Sequence, residues 1–498
     1  MIIFAPHSAW NSASITITYI QRTMTDDTMN RRRFLRRLGG GMAAAALVPV
    51  ACGESSTAGE KSAQQNNQPN GQMTYRKDTH GDEVSLIGYG CMRLPTVTGG
   101  SARRDTDEID QEELNRHVDY LLEHGVNYFD TSPVYCQGRS ETVMGKALCR
   151  HPRKNYKVAT KLSNFSNWTR ENSLAMYQAS MRNLQVDYID YYLLHSIGGG
   201  DDPMQLFRDR FIDNGMLDFL LEERAAGRIR NLGFSFHGAQ EVYDYALSMH
   251  QDVHWDFVQI QMNYVDWHFA REVNPRNVNA EYLYGELASR DIPVVIMEPL
   301  LGGRLAGGDG SLTDRMVQML KERAPEESLA SWAFRFCGTY PKVLTSLSGM
   351  TYMDNIVDNV RTHSPLRPLS DEELVMLESI AMLLVSQPTV PCTACQYCMP
   401  CPFGIDIPGI FAHYNKSLAA GNVEPNRQSP EYRKARRAFL VDYDRAVPTL
   451  RQADHCIHCG TCLSHCPQSI DIPAQLQRID RYAEALKLDG VDLGSASA

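Results

Sequence analysis

No apolar run in this chain approaches the roughly 18 residues that a membrane-spanning helix needs, so a bundle of such helices is excluded. A basic excess is missing as well: 49 Lys and Arg stand against 59 Asp and Glu, a formal net charge of -10. That balance has no electrostatic footprint for nucleic acid, and no nucleic-acid partner is expected. Leu, Ile, Val and Phe are all absent from Gly53 to Gln72, a Gly/Ser/Gln/Asn-rich stretch that reads as a tether. No G-x-G-x-x-G follows an early strand pattern, which counts against an open dinucleotide-binding sheet. What the chain does have is 498 residues, 43% of them hydrophobic, enough for two domains and a sizeable core. It also has 13 Cys, and eight of them lie between Cys392 and Cys466. One end of the chain therefore carries dedicated sulfur chemistry.

The segment Asn30-Arg31-Arg32-Arg33-Phe34-Leu35-Arg36 precedes an uncharged run from Leu38 to Ala51. A basic head before a short run of small apolar residues has the grammar of an export signal. Paired Arg followed by Phe-Leu resembles the twin-arginine signal, an address read by the machinery that exports folded proteins. The expected location is then the periplasm or cell envelope. Cys52 is either a lipid-bearing anchor residue or an incidental part of a cleaved leader. Residues 1–51 are read as extension and signal, and 52–73 as a flexible linker.

From Tyr75 to Leu369 β-rich runs alternate with helical patterns. Asn127 to Asp130, Lys157 to Lys161, Tyr188 to His195, Ile229 to Ser235, Phe257 to Gln261, Pro293 to Met297 and Val343 to Ser346 read as strands. With Val84 to Gly88 as the opening strand the count is eight. The fold class expected is α/β: a (β/α)8 TIM barrel over 74–369, then a small, mostly helical ferredoxin-like iron–sulfur domain. A helix over 370–390 connects them, and the iron–sulfur domain fills 391–498.

Barrel chemistry sits where strands end. Those positions hold Asp130, Tyr135, Lys161 and His195. A Tyr hydroxyl beside an ammonium, with a carboxylate to steady the ammonium and a neutral His to hold a carbonyl oxygen, is a carbonyl-reduction set. The contexts Gly90-Cys-Met-Arg93, Phe129-Asp130-Thr131-Ser132-Pro133-Val134-Tyr135, Gly138-Arg-Ser140-Glu141, Ala159-Thr160-Lys161 and Leu194-His195-Ser196 resemble the aldo/keto reductase family over about three hundred residues. The resemblance implies Tyr135 as proton donor, Lys161 and Asp130 as its tuning pair, and His195 as the carbonyl-orienting residue.

It also implies a nicotinamide cofactor, NADP or NAD. Ser235 and Gln259 match residues that bind the carboxamide, although Phe236 stands where the family has Asn. Met297 occupies the place of a stacking aromatic, and Gly302 and Gly303 fit a pyrophosphate turn. Thr351, Asn355 and Asn359 resemble the segment around the adenosine end. No Arg or Lys lies between Leu344 and Val360, so a clamp for a 2′-phosphate is not visible.

Cys392, Cys395, Cys398 and Cys401 are spaced by two residues throughout, whereas Cys456, Cys459, Cys462 and Cys466 end on a spacing of three. The second run, closed by Pro467, is that of a [4Fe–4S] ferredoxin. Zinc ribbons use paired rather than tripled spacings, and two register-matched sets of four argue against disulfides. By resemblance to two-cluster ferredoxins, Cys466 joins Cys392, Cys395 and Cys398, and Cys401 joins Cys456, Cys459 and Cys462. Two clusters are favoured over one. Cys91, Cys136, Cys149 and Cys337 are expected to be packed thiols.

The function expected is a nicotinamide-dependent oxidoreductase that interconverts a carbonyl and an alcohol on a small molecule. Its clusters would exchange electrons with the barrel or with a redox partner protein. The alternative is an iron–sulfur electron carrier that uses the barrel as a binding platform without carbonyl turnover.

Overall fold

The computed structural model describes residues 71–489 apart from 103, 308–311, 464 and 467, all within one compact unit. Arg31, Arg32, Cys52 and most of the linker lie outside the described residues.

Eight parallel strands close into a barrel. They are β3 (Ile87–Gly90), β4 (Tyr128–Asp130), β5 (Lys157–Leu162), β6 (Ile189–Ile197), β7 (Ile229–Phe236), β8 (Phe257–Gln261), β9 (Val294–Met297) and β10 (Val343–Ser348). Runs such as Val-Val-Ile-Met in β9 have no polar alternation because a parallel strand is covered on both faces. An antiparallel hairpin of β1 (Tyr75–Lys77) and β2 (Glu83–Ser85) precedes the barrel. The expected opening strand, Val84 to Gly88, is thus two strands. Val84 and Ser85 pair in the hairpin, and Ile87 and Gly88 pair with β10.

Helices follow the barrel strands on the outside. The first, α1 (Gln111–Glu123), begins at Asp110, whose side chain accepts from the Glu113 amide. It buries Leu114, Val118 and Leu121, one face at helical spacing. After β4 comes α2 (Ser140–Leu148). Cys149 caps its C-terminus and is exposed, against the expectation of a packed thiol. The residue falls one step past the last buried turn. Cys91, Cys136 and Cys337 are buried.

Inside the barrel, Tyr191 packs against Tyr128, tilted at 56°, and edge-on against Phe257, with ring centroids 4.9 and 5.1 Å apart, and it donates to Asp78 at 2.6 Å. Val84 of the hairpin joins this cluster. The N-terminal end is plugged, so a cavity can open only at the opposite end.

After β10, α3 (Asp371–Val385) starts in a capping box of Ser370 and Glu373 and packs Leu377, Ile380, Ala381 and Leu384 into the barrel's core. The last part of the chain is built on α4 (Ile407–Ala419), α5 (Tyr432–Ala446) and α6 (Ile472–Leu488) around its own core of Ile410, Phe411, Phe439 and Ile479. Two arginines join it to the barrel: Arg93 donates to the Thr393 carbonyl at 2.7 Å, and Arg304 to the Thr389 hydroxyl at 3.0 Å. At Gly302, with φ of +71°, a Cβ would fall 2.5 Å from the Thr393 Cα. The glycine expected to serve a pyrophosphate turn is thus also where the two parts of the chain touch.

Candidate active site

Asp130 ends β4, and Lys161 lies one residue before the end of β5, its neighbour in the barrel. The Lys161 ammonium donates to Asp130 Oδ1 at 2.6 Å and to the Thr131 carbonyl at 2.8 Å. Both side chains are buried. Burial pushes the Asp130 carboxyl up, and Lys161 opposes that push. Tyr135, on the loop after β4, places its ring 5.0 Å from the Lys161 nitrogen. Its edge meets the ring of His195, centroids 6.1 Å apart.

His195 owes its aim to an irregularity. The register of β6 against β7 shifts between Leu194 and Ile197, and such a bulge re-aims the side chain it carries. The His195 Nδ1 lies 2.6 Å from the Ser163 hydroxyl, which is 2.8 Å from that of Ser132. Each bond has a donor when Ser132 gives to Ser163 and Ser163 to Nδ1, leaving the imidazole proton on Nε2. Burial lowers the His195 pKa well below its ordinary value, with Lys161, Arg210 and His237 adding to the effect. At neutral pH the ring is an uncharged donor.

A nearby ammonium by itself would lower the pKa of Tyr135, and here it does not prevail. Burial pushes the phenol well above its ordinary value, and Asp130, Tyr397, Cys91 and Glu298 push the same way. The Lys161 charge is shared with Asp130 before the phenol can use it. The phenol is protonated at neutral pH, the form that can donate.

All four residues line one cavity of about 1930 Å³. Ser235, Gln259, Met297, Gly302, Gly303, Thr351, Asn355 and Asn359 line it too. Gln259 Oε1 is buried with no hydrogen-bond partner, so an acceptor stands ready for an amide N–H. The Ser235 hydroxyl accepts from the Ser196 amide at 2.7 Å. Thr351 and Asn359 are engaged within the chain: Thr351 donates to the Arg93 carbonyl at 2.9 Å and Asn359 to the Ser348 hydroxyl at 3.1 Å. Phe236 is buried against Tyr243, ring centroids 4.8 Å apart.

The iron–sulfur end forms a wall of this cavity. Cys395, Cys466, Gln396 and Tyr397 line it. The Tyr397 hydroxyl reaches the Met92 sulfur at 3.8 Å. Cys398, Cys401, Cys456, Cys459 and Cys462 line a second cavity of about 220 Å³. Thiol electrostatics divide them differently at Cys398, which burial raises and to which Cys395, Cys392 and Cys466 add. Burial raises Cys392 to about 11 and Cys395 to about 12, and Cys466 adds to both. Cys462 is raised to about 11 by burial, with Cys456, Cys459 and Cys401 adding. Among the described residues no three His, Cys, Asp or Glu converge on a point that could hold a single metal ion.

Several residues escaped the sequence reading. Ser163 stands two positions after Lys161, the strand spacing for a shared face; that signal was available. Tyr397 and Arg93 meet partners about three hundred residues away, for which no local signal exists. A repeat was also available: Cys401 and Cys466 are each followed, four residues on, by Ile-Asp-Ile-Pro. Asp406 and Asp471 cap α4 and α6 at these two places, accepting from Gly409 and Ala474.

Residues 86–382 match the model of the Aldo/keto reductase family, and residues 391–470 that of the 4Fe-4S dicluster domain. The Bacillus subtilis protein named uncharacterized oxidoreductase YqkF is 24% identical, over 60% of this chain and 92% of its own length. A soybean protein, probable aldo-keto reductase 1, is 32% identical over 24% of this chain; the match spans only 35% of that protein. An aldo-keto reductase from Klebsiella pneumoniae, solved in complex with NADPH, superposes with a TM-score of 0.47 at 22% identity, covering 62% of this chain and 95% of that one.

Proposed function

We propose, from the premise that this chain belongs to the aldo/keto reductase family, that it interconverts a carbonyl and an alcohol with a nicotinamide cofactor and exchanges electrons through two [4Fe–4S] clusters. That it is an aldo/keto reductase-like oxidoreductase with an iron–sulfur domain follows from the two family matches. The coupling rests on one observation: Tyr135, Lys161 and His195 share a cavity with Cys395 and Cys466. A carbonyl and its alcohol differ by two electrons, which one nicotinamide hydride carries in full, and two clusters of one electron each would pass the same number between the cofactor and a redox partner.

The unpartnered Gln259 Oε1 supports a carboxamide at the floor of the cavity. Ser235 and Met297 would flank it, Gly303 would let backbone approach the phosphates, and Thr351, Asn355 and Asn359 would border the adenosine end. A bound nicotinamide supplies or accepts a hydride. The chain's own residues manage the oxygen. His195 Nε2 donates to the carbonyl oxygen and orients it. As carbon gains the hydride, the Tyr135 hydroxyl passes its proton to that oxygen, and the Lys161 ammonium faces the phenolate left behind. Asp130 holds Lys161 in place. Oxidation of an alcohol runs the same transfers in reverse.

A redox partner protein would reach the chain on the side of Cys459, which is exposed beside an Ile457 that is 62% exposed. The missing cation between Leu344 and Val360 favours NADH over NADPH. Anaerobically purified protein, assayed with both nucleotides against a panel of aldehydes and ketones, tests the reading. Absence of turnover in either direction, in protein with its full iron content, would overturn it.

The pH profile gives a separate check. The donor form of Tyr135 exists below its raised pKa and the neutral form of His195 above its lowered one. Carbonyl reduction should therefore show no inflection at roughly pH 6.5, where a free His titrates, and none at roughly pH 10, where a free Tyr does. An inflection near the ordinary His value would mean that His195 is solvated and charged.

A further inference from the structure

The bulge in β6 frees the carbonyls of His195 and Ser196 from the strand ladder, and one side chain caps both. Arg210, on the π-helical turn Arg208–Ile212, donates from Nη2 to the His195 carbonyl at 2.7 Å and from Nη1 to that of Ser196 at 3.1 Å. Its Nε donates to Asn164 Oδ1 at 3.2 Å. Short π-helical turns interrupt regular structure at a cost and cluster at functional sites.

Capping does not explain the charge. A guanidinium has five N–H groups and these bonds use three, leaving one on each terminal nitrogen. Arg210 is 3% exposed and lines the cavity that holds Tyr135 and His195. Among the described residues no carboxylate is ion-paired with it: Asp209 accepts from Gln205, and Asp201 is an exposed residue on the cavity rim. Burial lowers the guanidinium to about 9, which still leaves it charged at neutral pH. A buried cation without a counter-ion is costly, and a neutral amide could cap two carbonyls without that cost.

The guanidinium lies close to the reacting centre. The guanidinium lies 4.8 Å from the Phe165 ring, and Phe165 packs on His195 with centroids 4.9 Å apart. The facing loop, Gly198 to Gly200, has positive φ at Gly198 and Gly200, and Gly199 has no atom within 4 Å of where a Cβ would stand. Both Gly199 and Gly200 line the cavity beside Arg210. His237, lowered to about 4 by burial, is uncharged there and cannot repel or replace the cation's partner.

We propose that the carbonyl substrate carries a carboxylate, which Arg210 binds as its missing counter-ion while the carbonyl lies against Tyr135 and His195. This rests on the carbonyl-reducing reading above and adds the substrate's chemical class. A planar, two-oxygen anion matches the two N–H groups that remain.

The test compares 4-carboxybenzaldehyde with its methyl ester, alike in shape and carbonyl but differing in charge, on anaerobic holoprotein. The acid should be favoured in kcat/KM by roughly 10- to 100-fold, as a charge-assisted pair requires. In Arg210→Gln, which keeps an N–H for the His195 carbonyl, that ratio should fall toward one. Equal use of acid and ester by wild-type protein overturns the proposal, and so does a preference that survives in a folded, iron-loaded Arg210→Gln. If that variant does not fold, calorimetric binding of benzoate, phenyl phosphate and benzyl alcohol to wild-type protein decides. Benzoate binding tightest supports the assignment, and phenyl phosphate binding tightest overturns the carboxylate in favour of a phosphate. No preference for either anion over the alcohol overturns it entirely. Because binding is read without turnover, benzoate held by a protein that reduces no carbonyl would sink the reaction and leave the anion site standing.

Discussion

Tyr135→Phe is expected to lower carbonyl turnover by roughly 10²–10⁴-fold, the cost of losing a general acid, while fold and iron content stay unchanged. The substitution removes one hydroxyl and keeps the ring, so the edge contact with His195 and the approach of Lys161 to the ring face survive. The loss should appear in kcat and kcat/KM together, since the proton moves only in the transition state. Lys161→Met is a poorer probe. It would leave Asp130 buried without its partner, and stranding one member of a buried pair costs roughly 3–5 kcal/mol of stability. Asp130 Oδ2 already has no hydrogen-bond partner, so Oδ1 would join it. An electron carrier that merely uses the barrel as a platform predicts the opposite for Tyr135→Phe: nothing measurable changes. Wild-type aldehyde or ketone reduction by that variant would refute the assignment of the proton donor.

The second large effect concerns iron. Wild-type protein should hold about eight iron and eight acid-labile sulfide, with absorbance bleached by dithionite. Paired substitutions then separate crossed from sequential ligation. If Cys401 completes the set of Cys456, Cys459 and Cys462, then Cys401→Ser with Cys456→Ser damages one cluster, and about four iron remain. Cys401→Ser with Cys395→Ser damages both, and little iron remains. Sequential ligation reverses the two outcomes. Cys398 lines the same cavity as Cys401, Cys456, Cys459 and Cys462. Its thiol, however, is raised by burial and then chiefly by Cys395, Cys392 and Cys466, whereas Cys401 acts on Cys462, and that grouping supports the crossed arrangement. Stoichiometric zinc without sulfide would overturn both.

Much of this molecule was legible before any coordinates. Strand-sized apolar runs at regular intervals named the barrel, because parallel strands covered on both faces need unbroken Val and Ile. Asp130, Tyr135, Lys161 and His195 each stood at or just past such a run, and closure of the barrel brings them to one cavity. The cysteine spacings carried their message without help from tertiary structure. Other features had no local trace. A one-residue shift in β6 alters no composition, yet it sets the direction of His195 and frees the carbonyls that Arg210 covers. Arg210 itself belongs to no motif of the sequence, and only the turn Arg208–Ile212 brings it to the cavity. The split of the first strand at Leu86 depends on its amide bonding to Thr74, a contact between neighbours in space. The direction of the Tyr135 shift is not legible in residue types, since burial of the phenol, which outweighs the nearby ammonium, depends on the packing around it.

Tyr397 sits two residues after Cys395 and one before Cys398, and its side chain stands in the wall facing Tyr135. The shape of the reaction chamber is thereby tied to an inorganic object that oxygen attacks. If Cys395 and Cys398 hold a cube, its loss should free the loop that carries Tyr397 and change the chamber even for a reaction that needs no electron from iron. Exposure to air should therefore inactivate carbonyl turnover in step with iron release, and readdition of nucleotide alone should not restore it. Full activity in iron-stripped protein would show that the wall stands by itself. Otherwise the working life of this enzyme is set by the atmosphere around it.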